Sequence, residues 1–138
     1  MGRSERGYCG SVNELQSALW LRLLDIPGTE EGENSWGDGL ALWVNAKQVA
    51  NFTAEDVVEL RLTKAMKRTL KARLIADERV HFRGASSHWL SVRFEKAADV
   101  DFVAELAGLA AVAHLPADGT APKPPPTGAA MERRKRFH

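Results

Sequence analysis

The sequence predicts an α+β fold, an antiparallel sheet of meander type with helices packed on one face and a disordered C-terminal tail. Two observations set the class. Apolar residues alternate from Leu40 to Leu62 with only short polar breaks, the pattern of strands joined by tight turns. Runs with helical spacing lie before and after these strands, so the helices flank the sheet instead of alternating with it in βαβ order. A third observation sets the tail. Beyond His114 the chain turns to Pro, Gly, Ala and charge, a composition short of the apolar surface needed to offset ordering entropy.

The first helix is marked by Ser11-Val12-Asn13-Glu14, where Ser11 can cap and Glu14 can reach back to it. Leu15, Ala18, Leu19 and Leu23 recur at helical spacing, and Pro27-Gly28 stops the run, so the helix is expected from Val12 to Asp25. Thr29 to Trp36 is acidic and poor in apolar residues, and Gly37-Asp38-Gly39 signals a hairpin into the run from Leu40. An exposed strand before a buried one follows from this. In the buried strand Leu40, Leu42 and Val44 share one face of the pleat, and Ala41 and Trp43 the other.

Asn45-Ala46-Lys47 turns the chain into a strand over Gln48 to Phe52, and Thr53-Ala54-Glu55-Asp56 into another. There Val58, Leu60 and Leu62 fall on one face, and Val57, Glu59 and Arg61 on the other. Thr63 can cap a second helix whose apolar stripe is Met66, Leu70 and Leu74. Arg79 to Arg83 reads as a short strand, Gly84 to Ser87 as a turn, and His88 to Phe94 as a strand with Leu90, Val92 and Phe94 inward. Asp99 can cap the last helix, which carries Val100, Val103, Leu106, Ala107 and Ala110 toward a core. Residues 11–114 thus form one domain, preceded by a flexible stretch at 1–10 and followed by the tail at 115–138, which ends in Arg133-Arg134-Lys135-Arg136.

Composition narrows the function classes. A net charge of +1 argues against a strongly basic nucleic-acid binder, although charge segregated along the chain can still act locally. Cys9 is the one cysteine, so no internal disulfide framework exists. No apolar run is long enough to span a bilayer, and no h-region follows the charges of Met1 to Arg6, so the expected location is cytoplasmic. Ser86-Ser87 lies in no nucleophile elbow, and no Gly-rich phosphate loop opens a helix. His81 and His88 flank the Gly84 turn without a nearby third ligand, short of the three that catalytic zinc takes, so neither a metal nor a cofactor is expected. Glu30, Glu31 and Glu33 read as edge-strand charges that discourage edge pairing.

Two surfaces remain as candidates. Glu59 and Arg61 share a strand face, and with Trp43, Asn51, Trp89 and Arg93 they form a ligand-binding face if the strands pair in matching phase. Lys64, Lys67, Arg68 and Lys71 cluster on one side of the second helix with no intervening acid, a pattern suited to phosphate contacts.

Ile26-Pro27-Gly28, the glycine turn before Leu40-Ala41-Leu42-Trp43-Val44, Glu59-Leu60-Arg61-Leu62 before a helix, and Trp89-Leu90-Ser91-Val92-Arg93 before an Asp99-led helix resemble the small luciferase-like domain family over about Leu15 to Val112. The resemblance implies a compact α+β domain laid out like the MmcQ/YjbR-like proteins, for which DNA binding has been proposed, and implies no light production. It also implies a His-x-His motif near the end of the Gln48 to Phe52 strand, where this chain reads Asn51-Phe52-Thr53.

The leading expectation is a non-enzymatic binding or interaction domain with a protein or small-ligand partner, using either the basic helix or the Trp/Arg sheet face. A nucleic-acid-binding accessory protein and an enzyme with a polar pocket on the sheet are the alternatives.

Overall fold

The computed structural model describes residues 12–35, 39–83 and 87–136. Its elements are α1 (Val12–Leu24), β1 (Thr29–Glu33), β2 (Leu40–Val44), β3 (Lys47–Ala54), β4 (Val57–Arg61), α2 (Lys64–Thr69), α3 (Lys71–Ile75), β5 (Val80–Phe82), β6 (Trp89–Arg93), α4 (Ala97–His114) and α5 (Gly128–Arg136). The six strands pair antiparallel in the order β1-β2-β3-β4-β6-β5. The α+β class and the meander of β1 to β4 therefore agree with the sequence. After β4 the chain leaves through α2 and α3, and the β5–β6 hairpin returns with β6 beside β4 and β5 at the edge.

Each turn has a local cause. Asn45 and Ala46 both hold positive φ, 51° and 62°, as a two-residue hairpin turn between β2 and β3 requires. Thr63 adopts an extended conformation and its Oγ1 accepts the Met66 N–H at 3.1 Å, the expected cap of α2. The single helix expected after Thr63 is instead two short ones meeting at Leu70, whose ψ of 6° departs from helical geometry. The Ser11 cap and the Gly37-Asp38 part of the first hairpin lie outside the described residues.

Pairing puts Leu42, Val44, Ala50, Val58, Leu60, Leu90 and Val92 on one face, which we call the front, and α1, α3 and α4 close over it. Leu19 and Leu23 of α1, Leu74 of α3 and Val103, Leu106 and Ala107 of α4 complete the core. Two irregularities keep the faces in phase. One lies beside Val49, so that Gln48 pairs with Trp43 and Ala50 with Leu42; the other skips Thr53 between Phe52 and Ala54. Phe52 then lies between Trp20 and Phe94, at ring distances of 5.5 and 5.8 Å.

Two features correct the expectations. Asp99 is not the N-cap of α4 but its third helical residue, and its Oδ2 accepts the N–H groups of Glu95 at 2.8 Å and Lys96 at 3.2 Å. The tail is not disordered throughout. Gly128–Arg136 is helical, and Met131 is 1% exposed against Ala41 and Trp43 on the back face of the sheet. Average composition does not register this, because Met131 is a single apolar side chain in an otherwise polar segment and its seat lies on β2.

Asp99 also takes Arg79 Nη1 at 2.8 Å, while Arg79 forks onto Asp77 and lies 4.0 Å over the Phe102 ring. Burial alone would raise the Asp99 carboxyl, but the Glu95 N–H, the Arg79 guanidinium and the Lys96 N–H outweigh it and hold it below its usual value. Asp77 is held low chiefly by its hydrogen bond from Arg79. Removing the Asp99 carboxylate strands two backbone donors and a guanidinium, so Asp99→Ala is expected to cost about 2–4 kcal/mol in urea unfolding. Because both carboxyls are depressed in the fold, their contribution is complete above the unfolded value near 3.8 and fades as pH falls below it. The variant should accordingly show a shallower acid limb in its stability-pH profile.

Candidate functional site

The back face divides into two halves. Under β1 and β2 it is apolar: Ala41 and Trp43 are fully buried beneath Met131, and the Trp43 indole donates to the Glu33 carbonyl at 3.2 Å. Trp43 therefore lies on the expected face but is covered, which removes it from any exposed ligand surface.

The other half is polar and set by register. Asn51 pairs with Glu59, Glu59 with Ser91, and Ser91 with His81, so one row crosses β3, β4, β6 and β5. Arg61 pairs with Trp89 on one side of this row, and Val57 with Arg93 on the other. The phase match that the sequence left conditional is thus present for Asn51, Glu59, Arg61, Trp89 and Arg93. Exposure rises along the row, from Asn51 at 4% and Glu59 at 7%, through half-buried Ser91, to exposed His81. Trp89 is buried, Arg61 half-buried and Arg93 exposed.

Hydrogen bonds hold the buried end in place. Gln48 Oε1 accepts the Ser35 N–H at 2.9 Å and the Ser35 hydroxyl at 2.8 Å, its Nε2 donates to Asn34 Oδ1 at 2.9 Å, and Asn51 Oδ1 lies 3.4 Å from the same nitrogen. Glu59 accepts Arg83 Nη1 at 2.9 Å and lies 3.5 Å from the Ser91 hydroxyl. Buried polar atoms at this density are tolerated only when mutually satisfied, so the row is rigid at its Asn51 end.

Sequence reasoning missed Gln48, Ser91 and Arg83 as members. Ser91 was readable from its position between Trp89 and Arg93 at a period of two. Arg83 reaches Glu59 only because β5 docks outside β6, an arrangement no local pattern encodes. His81 faces Ser91 across the ladder instead of His88. Among the described residues no group of three or more His, Cys, Asp or Glu is placed to hold a metal ion.

The basic helix face is smaller than expected. Lys64, Arg68 and Lys71 are exposed, but Lys67 is only 8% exposed, with its Nζ 2.5 Å from the Ser87 carbonyl and 5.3 Å from the Phe82 ring centre. Burial pushes its ammonium below the ordinary lysine value. Lys67 is thus a packing residue that ties α2 to the β5–β6 hairpin. Of the edge charges, Glu31 accepts the Trp20 indole N–H at 2.6 Å and Glu33 pairs with Lys135. No helix among the described residues is long and apolar enough to cross a membrane. No family model matches this chain, and no curated protein matches it.

One titratable group beyond the row follows from its burial. His114, at the C-terminal end of α4, is half-buried with Nδ1 2.8 Å from the Ala110 carbonyl. Burial lowers its pKa, the bond to Ala110 opposes that, and the charges of Arg61, Lys47 and His88 lower it further. The folded imidazole therefore binds a proton less readily than the unfolded one, so its effect on stability appears as pH falls through the unfolded value near 6.5. Urea midpoints of the parent chain are expected to drop between about pH 7 and pH 5 more than those of His114→Gln. Parallel profiles for the two proteins would remove His114 from the account.

Proposed function

We propose that the chain is a non-enzymatic binding domain whose contact surface is the polar half of the back face, taking a small polar ligand that carries an anionic group. The observation that carries this reading is the register-aligned row Asn51–Glu59–Ser91–His81, graded from buried to exposed and bounded by Arg61 and Arg93. Glu59 is already matched by Arg83, and the exposed Arg93 beside the row gives the face a cation to meet an anionic group, while Asn51 and Ser91 supply neutral hydrogen-bonding groups. An anion seated by arginines at a rigid sheet is held by charge-assisted bonds at little ordering cost.

Titration of 15N-labelled protein with inorganic phosphate, glutarate and adenosine monophosphate tests this. Amide shifts are expected to cluster on β4 and β6 for at least one ligand, with affinity falling about tenfold in Arg61→Ala or Arg93→Ala, in line with loss of a charge-assisted bond. Shifts confined to α2 and α3, or no response to any of the three, would overturn it.

A second reading, nucleic-acid binding, is supported by one observation: Lys64, Arg68 and Lys71 are exposed on two short helices that contain no acidic residue. On that reading, affinity for a duplex DNA oligonucleotide falls steeply with salt, and Arg68→Ala or Lys71→Ala lowers the log–log salt slope by about one. Lys67→Met leaves the slope unchanged. A slope indifferent to Arg68 and Lys71 counts against the reading.

A further inference from the structure

We infer that α5 is a displaceable arm, and that the notch it fills is a regulated extension of the polar face. The arm is joined to α4 by residues 115–127, which contain no helix or strand and include Pro124-Pro125-Pro126. It is a nine-residue helix, short of the length at which an isolated helix holds itself together in water. Met131 is its one buried side chain among those described. Further ties include the ion pair between half-buried Lys135 and exposed Glu33 and, in the linker, Pro125 packed beside Gly32 and the Lys123 N–H donating to Asn45 Oδ1 at 3.0 Å. A partly exposed ion pair holds little on its own.

The indole at the floor of the notch is held by β1, not by α5. A Cβ added to Gly32 would lie 2.8 Å from Trp43 Cδ1 and Nε1 and 3.0 Å from Pro125 Cβ, so the indole edge, with Pro125 beside it, closes on β1 where only glycine leaves room. The bond from Trp43 Nε1 to the Glu33 carbonyl fixes its rotation. Lifting α5 therefore uncovers a preformed indole, with Glu33 at the rim, instead of a side chain that collapses into a gap. Met131 and Lys135 stand four residues apart on one side of the helix and match the indole and the Glu33 carboxylate respectively.

Position gives the arm its consequence. Trp43 pairs with Gln48, and Gln48 lies against Asn51, the buried end of the polar row. Release adds an aromatic surface beside the Gln48–Asn51 end of the row, which stays held by Asn34 and Ser35. That consequence rests on the binding reading of the sheet; the opening itself does not.

Native-state hydrogen exchange on the full chain, with no ligand present, separates the two. The α5 amides and the Trp43 indole N–H are expected to exchange at least about 100-fold faster than the Leu60 amide, by local opening below the global unfolding free energy. Met131→Ser should speed Trp43 indole exchange about tenfold and leave Leu60 unchanged, whereas Met131→Leu retains protection. If α5, Trp43 and Leu60 exchange together, the arm opens only with the whole domain and the inference fails. A Trp43 indole that is indifferent to Met131→Ser also overturns it, since α5 would then not be its cover.

Discussion

The fold depends on the pairing register of β4. This strand lies between β3 and β6, sends Val58 and Leu60 into the helix-covered core, and sends Glu59 to the opposite side. A slip of one residue would put a carboxylate among leucines and turn Val58 and Leu60 away from the helices, reversing every choice made by the neighbouring strands. The irregularities at Val49 and Thr53 are the means by which β3 keeps its own apolar residues in phase with this fixed partner. Because β4 is buried on both faces, the back face needs a chemistry of its own. It has two, a hydrogen-bonded row on one half and an apolar notch on the other.

These two chemistries need different partners. Buried amides such as Gln48 and Asn51 must find donors and acceptors nearby, and Gln48 finds them in Asn34 and Ser35 between β1 and β2. The notch around Trp43 needs only contact, which Met131 provides with Pro125 nearby. The polar half is consequently rigid and specified from within the domain, while the apolar half is specified by a segment about 90 residues further along the chain. Rigidity suits a surface that recognises a ligand. A separable cover suits a surface whose extent is controlled.

Much of the sheet was legible because strand alternation is enforced by burial, and burial is a property of each residue: Leu42, Val58, Leu60, Leu90 and Val92 declare their side in the sequence itself. The Thr63 cap was legible for a related reason, since a cap is satisfied within three residues. What escaped was set by distance. Lys67 reads as a solvated helix charge until the β5–β6 hairpin brings Phe82 and the Ser87 carbonyl to it. The docking of α5 depends on Gly32, Ala41 and Trp43, none of which is near Met131 in sequence. The break at Leu70 carries no glycine or proline to announce it. Of the ligand-face residues, Glu59 and Arg61 followed from alternation, whereas placing Asn51, Trp89 and Arg93 on the same face required the strand register, and Trp43 was misjudged because its cover was invisible.

The row also bears on the choice between binding and catalysis. Imidazoles are an expectation from sequence resemblance at Asn51-Phe52-Thr53, one that no family model supports, and the structure separates these three positions. Asn51 enters the row opposite Glu59, Phe52 turns into the core against Phe94, and Thr53 is the residue skipped in the pairing with β4. An asparagine amide donates and accepts hydrogen bonds but takes up no proton near neutral pH, so it can position a ligand without acting as a base. Glu59 is engaged by Arg83, whose Nη1 lies 2.9 Å from its Oε2. His81 is the one imidazole in the row, and it stands at the exposed end, two strands away from that carboxylate. Groups arranged in this way hold a polar molecule in place more readily than they move its protons, which is why the face is read as a binding surface.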